Sequence, residues 1–343
     1  MKALVLTEYN KFSGEDVPVP EYGKNDVLVR VKACAICGSD IHGMDGSSGR
    51  RIPPIIMGHE ASGVIEKVGA DVKDFKPGDR VTFDSTVYCG HCYYCLRGEV
   101  NLCDNRRVLG VSCNDYRLHG AFAEYVAVPQ HIVYKLPDGL SFEQAAMAEP
   151  LTIAFHAVRR SPVSLNKTAV VVGSGMIGLL IIQLLKASGC GKIFAVDIVQ
   201  QKLDMAKKYG ADIVLNSNEV DAAAEIVRLT KDRGADIAFE VVGITPSLKT
   251  AITSVRKGGA LTLVGNVKAS VDFPLQWVVT RQLSLYGTCA SSLEYEDCLD
   301  LISSGCVDVD SFISAVAPLS EGPDWFRRLY AGEPGLMKVI LQP

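Results

Sequence analysis

The 343-residue sequence has no apolar run long enough to cross a bilayer; its longest, Met176 to Leu185, is short and carries Gln183. No membrane span is therefore expected. An excess of charge is missing too: 39 acidic residues stand against 35 basic ones, a formal net charge of −4, and the cations form no stripe. Nothing here draws the chain toward nucleic acid or an anionic lipid surface. The opening residues, Met1-Lys2-Ala3-Leu4-Val5-Leu6-Thr7-Glu8, meet an acid early and offer no small-residue cleavage site, so they read as no signal peptide. Internal repeats and low-complexity tracts are absent, which excludes solenoids and disordered tethers.

Cysteine, by contrast, is plentiful. There are 11, an odd number, and Cys34, Cys37, Cys113, Cys190, Cys289, Cys298 and Cys306 are scattered. That pattern fits a reducing cytoplasm better than a disulfide scaffold. The other four, Cys89, Cys92, Cys95 and Cys103, follow C-x2-C-x2-C-x7-C within fifteen positions. Such short gaps strain a disulfide between neighbours but let one loop wrap a tetrahedral zinc ion. Four sulfurs fill all four corners, so this zinc is expected to be structural.

Up to about position 150 the chain reads as short strands punctuated by Gly and Pro, at Lys2–Thr7, Asp26–Ala33, Ala61–Val68, Arg80–Phe83, Phe122–Val128 and Ile132–Leu136, with little helix. A barrel-like, mostly-β domain is expected there. Beyond Lys167 the character changes. The apolar run Thr168–Val172 leads into Gly173-Ser174-Gly175-Met176-Ile177-Gly178 and a helix-like stretch to about Ser188. A strand over Lys192–Val196 then ends at Asp197. Strand, glycine turn, helix and an acid about 20 residues on make a dinucleotide fingerprint. Gly173 makes the turn, Gly175 admits the pyrophosphate, and Gly178 lets helix and strand pack. The N-terminal amides at Met176 and Ile177 face the phosphates. Asp197 would accept from ribose hydroxyls and repel a 2′-phosphate, and no arginine follows at once, so NAD is preferred over NADP. Alternation continues to about Thr288, which builds a doubly wound parallel sheet. Val242, Gly243, Val264 and Gly265 fall at strand ends and are candidates to line the nicotinamide half. A helix over Glu294–Ser303 and strands at Phe312–Leu319 and Met337–Leu341 follow, a tail expected to return to the first domain.

Two further stretches, Cys37-Gly38-Ser39-Asp40-Ile41-His42 and Gly58-His59-Glu60, are rich in metal-ligand types, as is Glu149 before Pro150. Taken alone they read equally as core and loop residues. Taken together, Cys37, His59, Glu60 and Glu149 could hold a zinc with an open corner. The two readings differ in whether these groups meet in space.

In combination and order, these motifs resemble the zinc-containing medium-chain alcohol/polyol dehydrogenases, with Phe122-Ala123-Glu124-Tyr125 and Glu149-Pro150-Leu151 contributing. The sorbitol (L-iditol 2-) and galactitol-1-phosphate dehydrogenase branch is closest, since alcohol dehydrogenases usually carry cysteine where Glu149 stands. The resemblance implies an α/β protein: a GroES-like, zinc-binding catalytic domain over 1–152 and 288–343, and a Rossmann NAD-binding domain over 153–287. It further implies two zinc ions per subunit and a homodimer or homotetramer. Catalytic zinc would be held by Cys37, His59, Glu60 and Glu149, in direct contact or through water for the last. Ser39 would take the alcohol proton and pass it toward His42, and Asp40 would orient His59. The segment Val108–Gly120 is longer than the Gly-rich link in many relatives and is expected to border the active site. Arg50, Arg51, Arg107 and Arg117 read as solvated surface rather than anion ligands. The expected activity is zinc- and NAD-dependent oxidation of a secondary alcohol in a polyol, sugar acid or sugar-alcohol phosphate to the ketone. A threonine 3-dehydrogenase-like enzyme is the alternative within the family, although that branch tends to carry Asp before the Pro. Outside it stands a catalytically inactive NAD-binding or zinc-ribbon protein.

Overall fold

Met1–Pro150 together with Ser292–Pro343 form one unit, and Leu151–Ser291 a second, in the computed structural model, which describes residues 1–343. The first unit is organised on the strand Asp26–Ala35. Val27, Val29 and Val31 enter the core, Arg30 and Lys32 face solvent, and the strand's end at Ala33–Ala35 is buried throughout. It pairs antiparallel with Glu60–Val68 and Tyr125–Pro129. Outward lie Arg80–Phe83 and Val133–Lys135 on one side. On the other are Lys338–Gln342 and Ile313–Pro318, so the tail completes the same sheet. Lys2–Glu8, Lys11–Asp16 and Ile55–Ile56 make a smaller sheet over the shared core of Leu4, Leu6, Phe83, Phe122 and Phe326.

More helix is present here than the Gly/Pro punctuation suggests. Gly38–Met44 and Phe142–Ala146 are helices, and Ala148–Arg160 is a third that begins at the end of the Met1–Pro150 segment and continues into the second unit. Pro150 hides the last of these in the sequence, yet it lies in the first turn, where no amide donor is needed. Glu149 therefore sits at a helix start. Ser141 caps the Phe142–Ala146 helix, its Oγ accepting from Gln144 N at 3.1 Å, while Gln144 Oε1 accepts from Ser141 N at 3.0 Å.

The second unit is a six-stranded parallel sheet in the order Ile213–Asn216, Lys192–Asp197, Thr168–Val172, Ala235–Glu240, Val255–Leu263, Ser284–Gly287. The order turns back at Thr168–Val172, so that strand and Ala235–Glu240 flank the switch point where such sheets bind dinucleotides. Val170, Phe194, Ala238, Ile252 and Leu261 fill its core. No helix of the chain is long and apolar enough to cross a membrane.

Candidate metal centres and dinucleotide loop

Cys89, Cys92, Cys95 and Cys103 bring their sulfurs within 4.8 Å of one another on a loop closed by two short 3-10 turns. All four are free thiols, with Cys92 Sγ 3.5 Å and Cys89 Sγ 4.0 Å from Cys95 Sγ. Sulfurs about 2.3 Å from a tetrahedral ion would stand roughly 3.8 Å apart, so the loop is already near that spacing. Backbone amides of Cys89 and Asn105, each 3.3 Å from Cys103 Sγ, suit a thiolate there. Hydrogen bonding to backbone amides, led by His91, lowers the Cys89 thiol to about 6.

The second cluster is assembled from remote segments. Cys37 caps the Gly38–Met44 helix, its Sγ accepting from Ser39 N at 3.5 Å. His59 and Glu60 sit where the Glu60–Val68 strand begins, and Glu60 pairs across to Ala35, two residues before Cys37. Ligand atoms of Cys37, His59 and Glu60 thereby fall within 4.8 Å of one another. Glu149 stands outside that trio but close enough for the charges of His59 and Glu60 to act on it, and its Oε1 accepts from Ser85 Oγ at 3.1 Å. One thiol, one imidazole and two carboxylates thus converge, and Glu60 Oε1 is buried with no partner. A polar atom in that state is costly unless a cation meets it. Both clusters fit zinc by donor chemistry: four thiols in one, and in the other a mixed set able to leave a corner for substrate.

Charged neighbours hold this trio. Asp40 accepts from Cys37 N at 3.3 Å, faces His59 Nδ1 at 3.4 Å and pairs with Arg51 at 3.1 Å. Burial alone would raise the Asp40 carboxyl, but His59 and Arg51 outweigh it and hold the group at about 2. Burial would likewise lower His59, whereas Asp40 and Cys37 push the imidazole well above its usual value. Glu149 is driven up to about 7, first by burial and then by the nearby carboxylates of Glu60 and Asp84, against the opposing pull of His59. Arg51, read from sequence as solvated surface, is 4% exposed. It stands under the site because a buried Asp40 needs a cation. Lys338 is equally deep, 2.6 Å from Glu60 Oε2. Sequence reading missed it, although a lone lysine within Met337–Leu341 breaks an otherwise apolar strand. Ser85 was missed as well, having no local signature.

Ser39 Oγ lies 3.5 Å from His59 Nε2, while His42 is exposed one turn further along the same helix. The Val108–Gly120 segment folds as a hairpin, Val111–Ser112 against Arg117–Leu118. Its root grips the backbone just before His59: Gly120 N donates to Ile56 O at 2.7 Å and Ala121 N to Gly58 O at 2.9 Å. A Cβ on Gly110 would come within 2.9 Å of Gly58 N, and one on Gly120 would strike Gly58 O. Gly58 has φ +92°, and a Cβ there would meet Cys34 Sγ at 2.8 Å. No side chain fits on any of these three glycines, and the His119 ring fastens the same peptide, its Nδ1 accepting from Ile56 N at 3.2 Å.

In the second unit Gly173 has φ +101°, and a Cβ on Gly178 would strike Gly173 O, so turn and helix need both glycines. Space is open where a Cβ on Gly175 would point, which leaves the approach clear for a pyrophosphate ahead of the Met176–Ala187 helix. Beside it the buried Ser174 Oγ has no partner. Asp197 ends its strand and ties the loop down, Oδ2 accepting from Ser174 N at 2.7 Å and Oδ1 from Ile198 N at 2.8 Å. Val242 and Gly243 are held by the buried Glu240, whose Oε1 accepts from their amides at 3.0 and 2.8 Å. A Cβ on Gly173 would meet Val242 Cγ2 at 2.6 Å, and one on Gly265 would strike Gly243 N. With Val264 N bonded to Glu240 O at 2.8 Å, these candidates share one rim at the strand carboxyl ends. These groups fit a dinucleotide.

Comparison with known proteins agrees in both units. Residues 23–138 match the Alcohol dehydrogenase GroES-like domain family, and residues 177–304 the Zinc-binding dehydrogenase family. Sorbitol dehydrogenase of Bacillus subtilis (strain 168) is 35% identical over 348 residues, covering 100% of this chain and 97% of its own. The crystal structure of galactitol-1-phosphate dehydrogenase from Escherichia coli superposes with a TM-score of 0.92 at 28% identity, covering 100% of both chains. A zinc-binding dehydrogenase from Sinorhizobium meliloti 1021, bound to NADP, gives 0.91 at 30% identity, with 100% of this chain and 99% of that one covered. The chain belongs to the zinc-containing medium-chain alcohol/polyol dehydrogenase family.

Proposed function

We propose that this chain oxidises a secondary alcohol of a polyol or sugar-derived substrate to the ketone, using NAD and two zinc ions per subunit. The observation that carries the reading is the trio of half-buried Cys37 with buried His59 and Glu60, and Glu149 beside it, a set in which a carboxylate stands where alcohol dehydrogenases usually carry cysteine. Names of relatives point the same way, one a sorbitol dehydrogenase and one acting on galactitol 1-phosphate.

Cys37, His59, Glu60 and Glu149 would hold the catalytic ion, whose chemistry is Lewis-acid polarisation of an alcohol oxygen and a lowered hydroxyl pKa. Cys89, Cys92, Cys95 and Cys103 would hold the structural one. NAD, on Gly173 to Gly178, Asp197 and the rim of Val242, Gly243, Val264 and Gly265, supplies the hydride acceptor. Asp40 keeps His59 in one orientation through Nδ1, and Arg51 keeps Asp40 ionised. Ser39 Oγ, exposed and 3.5 Å from His59 Nε2, takes the substrate hydroxyl proton and passes its own toward solvent, with His42 as acceptor. Asp197 favours NAD by opposing a 2′-phosphate. The outer strand Ser284–Gly287 and the exposed Leu275 and Val279 are surface that a second copy would cover, which supports a homodimer or homotetramer.

The test is absorbance at 340 nm with NAD or NADP and a panel of alditols, alditol phosphates, aldonates and threonine, before and after chelation. NADH formation on a polyol, lost on chelation, is expected. Activity on threonine alone, or none across the panel with two zincs bound, overturns the substrate class. Asp197→Ser should narrow the preference for NAD by about 10- to 100-fold, the worth of one charge-assisted hydrogen bond.

A further inference from the structure

The two carboxylates of the second cluster are held by different means. Lys338 Nζ donates to Glu60 Oε2 at 2.6 Å and to Ile36 O at 3.0 Å, with lysine and glutamate both buried. Glu149 Oε1 accepts from the neutral hydroxyl of Ser85. A lysine so deep is rare and persists only where an anion meets it. Its strand is tied to the site by backbone pairing, Ile340 to Ala35 and Leu341 to Cys34, on the run that leads to Cys37. The cation therefore reaches Glu60 across 278 positions of sequence, and it takes one carboxylate oxygen while the other, Oε1, stays without a partner.

We propose that Lys338 is a positioning residue, whose ammonium holds one oxygen of Glu60 so that this ligand offers the zinc a single oxygen. The inference rests on the reading of Cys37, His59, Glu60 and Glu149 as zinc ligands. Two cations that share one carboxylate oppose each other. Lys338 thus weakens the grip of Glu60 on the ion and keeps the second oxygen from competing with the alcohol. Without the ammonium, the ion is the cation left to balance the buried Glu60 charge.

The experiment compares the full-length zinc-loaded parent with Lys338→Met, Lys338→Arg, and Lys338→Met in a Glu60→Gln background. Zinc release to a colorimetric chelator, thermal melting and the split between KM and kcat are the readouts. Lys338→Met should release the second zinc about tenfold more slowly, on the scale of groups that contact metal ligands. KM for the alcohol should rise more than kcat falls, and Lys338→Arg should restore both. Beside Glu60→Gln, Lys338→Met should alter release by about twofold at most. Unchanged or faster release in a parent that carries two zincs overturns the proposal, as does an equal effect in both backgrounds. If Lys338→Met folds only beside Glu60→Gln, the lysine serves the folding of the Glu60 charge rather than its grip on the ion, and the proposal is overturned. Failure to fold in both backgrounds ties it to the strand alone and overturns it. A parent that carries one zinc sinks the ligand reading instead.

Discussion

The two cysteine-bearing clusters of the first unit are built on opposite plans. Cys89, Cys92, Cys95 and Cys103 come from one loop, rest on backbone amides and have no charged side chain among their hydrogen-bond donors. Cys37, His59, Glu60 and Glu149 come from a helix cap, a strand start and a helix start, and they lean on Asp40, Arg51, Lys338 and Ser85. A loop that wraps an ion needs its own spacing and little else. A site that must also admit substrate mixes weaker ligands, and buried carboxylates then require partners drawn from the whole domain.

Exchange of roles would break this contrast most sharply. Cys37→Ser is expected to remove one of two zincs and lower kcat/KM by about a thousandfold or more, the several kcal/mol that a Lewis-acid ion provides. Its melting temperature should fall less than that of a variant of the four-cysteine loop; elemental analysis, initial rates and thermal melting check this, and retention of both zincs at parental turnover refutes it. Cys95→Ser should remove the other zinc and cost several kcal/mol of stability. Alcohol KM of the remaining folded protein should stay within about twofold, since distant sites act independently. Calorimetry and kinetics on one preparation decide between the two plans.

Arg51→Met tests the dependence of the second cluster on buried charge. Loss of one partner from a buried pair costs about 3–5 kcal/mol. Chemical denaturation should show that loss, with slackened zinc at His59 and an intact four-cysteine loop. The smallest effect concerns pH. Because Glu149 rises from 4.5 to about 7 in the fold, its protonated form stabilises the metal-free protein below about pH 4.5, and that contribution is lost as pH climbs through about 7. Zinc needs the ionised form, so affinity at this cluster should gain up to about tenfold per unit as pH rises toward 7. Isothermal titration at several pH values should show this step, and Glu149→Gln should flatten it.

How legible each cluster is in the sequence follows from the same contrast. Cys89 to Cys103 and Gly173 to Gly178 are continuous, and their chemistry is set by spacing, so they can be read directly. The alternating strands and helices of the second unit are legible because a buried parallel strand such as Thr168–Val172 is apolar throughout. Cys37, His59, Glu60 and Glu149 were legible only as a set that resembles a family, since no local pattern says that a helix cap and a strand start meet. Arg51 and Lys338 escaped because a cation looks alike in sequence whether it faces water or a buried carboxylate. The Ala148–Arg160 helix escaped because Pro150 looks like a stop and is in fact at a tolerated first-turn position.

Gly110 and Gly120 meet the peptide of Met57 and Gly58 backbone to backbone, with Cys34, Phe122 and the His119 ring packed around them. The hairpin above can therefore change its tip residues, from Cys113 to Tyr116, while the peptide that carries His59 keeps its course. Divergence within such a lineage can proceed at the tip as if on an interchangeable module, and an engineer who grafts a new loop should preserve the two glycine roots with Ser112 and His119 and randomise only the tip.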